Sequence, residues 1–291
     1  MSLRASSDSS LCTRSPCVEV RRARPALGTL LDIRACGPAG AQVERAIDAA
    51  FEAVDCVERL MSFHRADSDL SRLNRVASEH PQAVHPWTYA VLRRARRLAV
   101  LSEGMFDLTV APVLVENGLL PGSPPRAGSR GSSQDIELLP GNHVRFRRPL
   151  LIDLGGIAKG FAVDQAIHAL RRGGCGEAMV NAGGDLRRFG GQPELIHLRT
   201  DAGMVPLAQL GSGALATSSP FRLQAERLAQ PTGGIVDPQR RRMWAGQGSV
   251  SVAARTCTLA DALTKVAALA GAACQPLLAR FGAQALWHAA G

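Results

Sequence analysis

The chain has 291 residues, 46% of them hydrophobic and 20% charged, enough to bury a sizeable core as one domain or two closely packed ones. The formal charge is +9, yet aromatic content is 4% with one tyrosine, and all basic residues except Lys159 and Lys265 are arginines in scattered pairs. Without a stacking platform or a continuous basic stripe, no nucleic-acid partner is expected.

Residues 1–24 are polar and lack the apolar core of a signal peptide. They are expected to be disordered, and the chain as written reads as cytoplasmic. ALGTLLDIRA, residues 26–35, reads as a strand. Val43, Ile47, Ala50, Val54, Val57 and Met61 then lie on one face of a helix over 38–61. MSFHRADSDLSRLN (61–74) leaves that helix through a polar loop into a short helical turn. Pro86 opens a helix to about Ser102, Gly104 ends it, and MFDLTVAPVL follows. PGSPPRAGSRGSSQ (121–134) has the composition of a flexible linker. Strands are expected at 194–199, 205–210 and 248–254, and a helix at about 258–270 with Leu259, Ala262, Leu263, Val266 and Leu269 facing inward. Without strict βαβ order, the pattern is α+β and not doubly wound α/β. No run of ~20 apolar residues marks a membrane span. Seven cysteines show no CxxC pair, and the odd count does not suggest a disulfide scaffold.

The segment from Leu150 to Phe189 carries the chemistry. An apolar run ends in Asp153 and Gly155-Gly156, which opens directly into a helical pattern with Lys159 in its first turn. A second run, Ala178 to Val180, ends in Gly183-Gly184 and Asp185. Glycines admit a ligand close to the backbone, and a helix N-terminus with a nearby ammonium suits a phosphate. Two tight turns in a core are the bland alternative. Neither a P-loop nor GxGxxG is present. Asp261 sits in the apolar LADAL near the start of the last long helix, either as a dipole-favoured acid or, with Asp153 and Asp185, as a ligand for a hard cation such as Mg²⁺. The histidines form no HxxxH pair, which argues against zinc.

In order, ALGTLLDI, MSFHRADSDLSRLN, GMFDLTVAP, DLGGIAKGFAVD, VNAGGD, LATS (215–218), GIVDP (234–238) and TCTLADAL (256–263) resemble the ApbE-type FAD:protein FMN transferases from about Pro25 to Gly271. The resemblance implies an ApbE-like (T-fold-like) α+β fold of mixed or antiparallel sheets flanked by helices, as one domain over 25–291. It implies Mg²⁺-dependent transfer of FMN from FAD to a Thr or Ser hydroxyl of an acceptor flavoprotein, with release of AMP. It places the flavin nucleotide against Leu27, His64, Met105, Phe106, Asp107, Asp153, Lys159 and Ile235, and the metal on the Gly156 carbonyl and Asp261. Relatives of this type are often periplasmic lipoproteins, which bears on the cytoplasmic reading.

Several positions depart from the pattern. Leu27 replaces a Met, His64 a frequent Tyr, and Leu108 a Pro. Gly234 stands where the family has a His suited to activating the acceptor hydroxyl, so general-base help from that position is absent. Lys265 stands where the family has a Thr metal ligand, four residues after Asp261, close enough for the two side chains to meet. The ammonium either competes for the Mg²⁺ position, weakening or replacing the metal, or forms an ion pair on a solvated helix face. A catalytically degenerate paralogue that binds FAD without transferring it is therefore the alternative function.

Overall fold

β1 (Val18–Ala26) pairs antiparallel with β2 (Thr29–Gly37) through a two-residue turn at Leu27 and Gly28, whose φ values are +54° and +69°. A turn with both central residues at positive φ matches the twist of its flanking strands. The expected single strand at 26–35 is thus the end of one strand, a turn and most of another. Disorder was expected through residue 24, but the strand begins at Val18. Arg21, Arg22 and Arg24 explain this, pairing with Asp32, Asp48 and Asp55. Arg24 also lies over the Phe51 ring at 4.6 Å. Arg22 and Arg24 thus tie this edge strand to α1 (Gly40–Met61), while Arg21 pairs across the hairpin with β2. Cys17 is joined to Cys36, a single link beside this hairpin.

The computed structural model describes residues 17–122, 131–200, 203–219, 234–246 and 248–288. After α1 come α2 (Asp69–Val76), β3 (Gln82–Ala83), α3 (Pro86–Leu101), α4 (Ala111–Glu116), β4 (Ile136–Leu139) and β5 (His143–Phe146). Next are α5 (Ala158–Arg172), β6 (Glu177–Ala182), β7 (Asp185–Phe189), β8 (Glu194–Thr200), β9 (Gly203–Leu210) and β10 (Gly213–Ser218). The chain closes with β11 (Val236–Asp237), β12 (Arg242–Met243), β13 (Ser249–Ala254), α6 (Cys257–Ala270), α7 (Gln275–Arg280) and β14 (Gln284–His288).

Seven strands form an antiparallel sheet in the order β1-β2-β6-β7-β10-β13-β14, which is the expected α+β class. α1, α5 and α6 pack side by side over the sheet. Alternation drives this burial: Leu31, Ile33 and Ala35 of β2 are inaccessible while their neighbours are not. The stretch 257–280 is apolar and long enough to cross a membrane, contrary to the sequence reading, but Gly271 interrupts it and α6 packs on α5, β10 and β13 as a core helix.

The linker expectation covers 121–134, of which 123–130 lie outside the described residues. Its C-terminal end is ordered: Ser132 caps a short helical turn over Ser133–Asp135, and Ser133 is buried.

Candidate active site

Two hairpin turns lie at one end of the sheet. β2 and β6 are neighbours, with Leu31 opposite Ala182, so the Leu27-Gly28 turn lies beside the Gly183-Gly184 turn that joins β6 to β7. Both glycines of the second turn have positive φ, and the Asn181 side chain accepts the Gly184 N–H at 2.9 Å. A Cβ on Gly183 would sit 2.3 Å from Thr29 Oγ1, so the turn needs glycine for packing as well as conformation. This pair is therefore a hairpin turn between β6 and β7, and it delivers Asp185 into the interior beneath α5.

The first Gly pair also differs from expectation. Leu150–Leu154 is buried or half-buried but is not a strand. Its polar groups are satisfied from elsewhere: Asn74 accepts the Ile152 N–H at 2.8 Å and donates to the Ile152 carbonyl at 2.9 Å, and the Asp153 N–H donates to Leu108 O. One amide side chain thus substitutes for a neighbouring strand. Asp153 accepts the Gly155 N–H at 2.9 Å and bends the chain into α5. Burial pushes the Asp153 carboxyl above its ordinary value, against the opposing pull of backbone hydrogen bonds, His64 and Lys265.

The N-terminus of α5 was expected to be open for a phosphate. It is instead approached by α6, whose Asp261 Oδ2 accepts the Gly160 N–H at 3.0 Å. Gly160 makes the crossing possible: a Cβ there would lie 2.3 Å from the Cys257 carbonyl oxygen. The arrangement is reciprocal. Asp164 of α5 accepts the Cys257 and Thr258 N–H groups at the start of α6, each at 2.9 Å, and holds Arg187 at 2.7 Å. Each helix therefore supplies a carboxylate to the positive end of the other. Sequence reasoning missed Asp164 and Gly160. An acid buried in an apolar helix is costly to leave unpaired, the argument that singled out Asp261, and FAVD presents the same signal.

Both lysines of the chain converge on this crossing. Lys159 is ion-paired with Asp185 and Lys265 with Asp261. Lys265 Nζ also donates to the Asp261 carbonyl at 3.0 Å. Asp261 is fully buried, which rules out the solvated-face reading of its pair with Lys265. Burial opposes ionisation of Asp261, but the Lys265 and Lys159 ammoniums outweigh it and hold the carboxyl below its ordinary value. Burial also acts against the Lys159 charge, yet Asp185 and Asp261 overcome it and raise that ammonium. Asp185, in turn, is pushed upward by burial despite Lys159. One of its oxygens, Oδ1, is buried without a partner among the described residues.

Phe106 closes the cluster. A Cβ on Gly156 would lie 3.6 Å from Phe106 Cε2 and 3.6 Å from Lys265 Cε, so Gly156, Phe106 and Lys265 meet at one point. Met105 is half-buried beside Phe106, and His64 is exposed at the rim. Asp107 has no free carboxylate: it accepts from the Thr109 N–H and hydroxyl and from the Ser133 N–H and hydroxyl. Its side chain builds the 105–109 turn and ties it to Ser133. Ile235 is buried, its carbonyl taken by the Trp244 N–H at 2.7 Å. The β11–β12 hairpin docks on the 103–109 turn through Gln239 to Glu103 O and Arg241 to Thr109 O, with Gly234 at its entrance.

Of the two groups expected to hold Mg²⁺, the Asp261 carboxylate is already engaged. Asp261 has both oxygens engaged, by Lys265 and by Gly160. Thr264 Oγ1, the nearest hydroxyl in sequence, is bonded to Ser218 at 2.7 Å and to Asp261 O at 2.6 Å. Among the described residues no group of three or more His, Cys, Asp or Glu side chains could hold a metal.

Residues 27–287 match the ApbE family. An FAD:protein FMN transferase from Vibrio cholerae is 30% identical over 268 residues, covering 85% of this chain and 80% of its own. The solved flavin transferase ApbE from Vibrio cholerae superposes with a TM-score of 0.79 at 27% identity, covering 94% of each chain. The ApbE protein from Thermotoga maritima superposes with a TM-score of 0.77 at 27% identity, covering 93% of this chain and 94% of its own. The family's span takes in both hairpin turns, the α5–α6 crossing and the hairpin at Gly234: the chain belongs to the ApbE family.

Proposed function

We propose that the protein is an FAD:protein FMN transferase, taking FAD as substrate and a protein as acceptor. The reading is carried by the α5–α6 crossing, where two ammonium groups, the Gly155-Gly156 turn and the Phe106 ring share one half-buried wall. The diphosphate of FAD lies against Lys159, Lys265 and the Gly156 backbone. Leu27, His64, Met105, Phe106, the main chain at Asp107, Asp153 and Ile235 surround the rest of the nucleotide. Two fixed ammonium groups beside the diphosphate, though each is paired with a carboxylate, offer donors to the charge that develops as AMP leaves. FMN then passes to a Thr or Ser hydroxyl of the acceptor.

A divalent cation would supply further charge neutralisation at the diphosphate. Gly156 O and Asp261 are the groups that would hold it, and Lys265 stands against both. A second reading, FAD binding without transfer, is favoured by that contact and by Gly234, which has no side chain to take a proton from the acceptor. Incubation with FAD, Mg²⁺ and a flavin-acceptor protein, read as covalent flavin fluorescence on a denaturing gel, separates the two. Fluorescence on the acceptor supports the transferase. Tight FAD binding without labelling, with labelling gained by the Gly234→His/Lys265→Thr double variant, establishes the second reading. Among the described residues a Cβ at Gly234 meets the tip of Met243 at 2.2 Å and Leu119 Cδ1 at 3.4 Å, so a side chain there requires Met243 to rotate.

A further inference from the structure

We propose that the Lys265 ammonium is a tethered replacement for the divalent cation, so that this site binds a diphosphate without metal. The inference rests on the FAD reading above and specifies its electrostatics. Lys265 reaches Asp261 from one helical turn away, and its stem passes Gly156, the residue expected to offer a metal its carbonyl. Two of the three ammonium protons are used, on Asp261 Oδ1 and Asp261 O, which leaves one donor. The Lys265 side chain is 21% exposed while Asp261 is sealed, so the cation, and not the carboxylate, faces a ligand.

The charge count distinguishes this site from a metal site. Lys159, Lys265, Asp185 and Asp261 sum to zero. A neutral residue at 265 with a bound divalent cation would leave the same cluster at +1. The chain therefore keeps a positive group at the diphosphate but gives up one unit of charge there. A metal entering the cluster would have to compete with an ammonium that makes two hydrogen bonds to Asp261 for the same fully buried carboxylate. Binding survives this exchange better than turnover, since a single charge meets the ground state while less is available for the charge that builds up as AMP departs.

Calorimetry of FAD binding to the purified full chain in EDTA and in Mg²⁺ tests the idea, with Mn²⁺ electron paramagnetic resonance on the FAD-free protein as a second readout. The wild type is expected to bind FAD within about twofold in the two buffers and to hold no Mn²⁺ at the site. Lys265→Met keeps the aliphatic stem and is expected to weaken binding about tenfold in EDTA, the loss of a charge-assisted contact. Lys265→Thr is expected to take up Mn²⁺ and to recover FAD binding only in Mg²⁺. Wild-type binding that rises about tenfold or more with Mg²⁺, or Mn²⁺ held by the wild type, overturns the proposal while leaving the FAD reading intact. No FAD binding by folded wild type in either buffer overturns both. The wild-type measurements decide the question even if a variant melts early.

Discussion

The two walls of the candidate site are built differently. On one side, α5 and α6 cross at Gly160 and exchange carboxylates, Asp261 to one helix start and Asp164 to the other. Both carboxylates are buried, and each accepts more than one hydrogen bond. On the other side, the β11–β12 hairpin is only two residues deep in each strand and is tied to the 103–109 turn by Gln239 and Arg241. Its leading residue, Gly234, contributes no functional side chain. A side chain can be changed in the second wall with little disturbance of the first, because the hairpin's nearest neighbour at Gly234 is the flexible end of Met243.

The largest expected effect lies in the first wall. Asp164→Ala removes the acceptor for two helix-terminal N–H groups and the Thr258 hydroxyl, and it strands Arg187, whose side chain is 11% exposed. Leaving a buried cation unpaired and a helix uncapped is expected to cost about 3 kcal/mol or more in urea unfolding. A loss below about 1 kcal/mol would mean the reciprocal caps are not what holds the crossing together.

The next pair of changes compares the walls directly. At Gly160 an added Cβ would lie 2.3 Å from a backbone carbonyl and 2.8 Å from Asp261 Cβ, neither of which can rotate away. Gly160→Ala is expected to cost about 2 kcal/mol and to weaken FAD binding, despite alanine's better helix propensity. At Gly234 the 2.2 Å neighbour is the flexible end of Met243. Gly234→Ala is therefore expected to change stability by less than about 0.5 kcal/mol. Equal costs at the two positions in thermal melts would erase the distinction between a rigid and a permissive wall.

Much of the first wall was legible in the sequence, because burying an acid or a lysine is costly enough to mark it. Asp261 and Lys265 lie one helical turn apart, and the structure joins them; Lys159 and Asp185 each stand out in the sequence, but nothing local pairs them. What the sequence concealed was reciprocity. That Asp164 caps α6 and Asp261 reaches α5 depends on a crossing between segments 101 residues apart, which local periodicity does not encode. The β1–β2 turn was hidden for a different reason: Leu27 adopts a positive φ that leucine seldom takes, so no Asn-Gly or Gly-Gly signal announced it. The Leu150–Leu154 run does not announce its lack of a strand partner, because its apolar composition is the same whether its amides meet a strand or, as here, the Asn74 side chain and Leu108.

The smallest expected effect concerns the seam between the walls. Asp153 stands at the entry to α5, and burial holds its carboxyl above the ordinary value of 3.8. A carboxyl raised in the folded state contributes its stability below the unfolded value and loses it as pH rises through the folded value, so at neutral pH its ionisation works against folding. Asn keeps an oxygen to accept the Gly155 N–H and carries no charge. Asp153→Asn is thus expected to stabilise the protein at pH 7 by less than about 1 kcal/mol, with the gain shrinking to nothing below about pH 4 as the wild-type carboxyl becomes neutral. FAD binding should weaken in the same variant, because the retained charge has no structural benefit and its partners, His64 and Lys265, belong to the site. Destabilisation at pH 7 with unchanged FAD affinity would instead make Asp153 a turn-building residue, and the seam would belong wholly to the rigid wall.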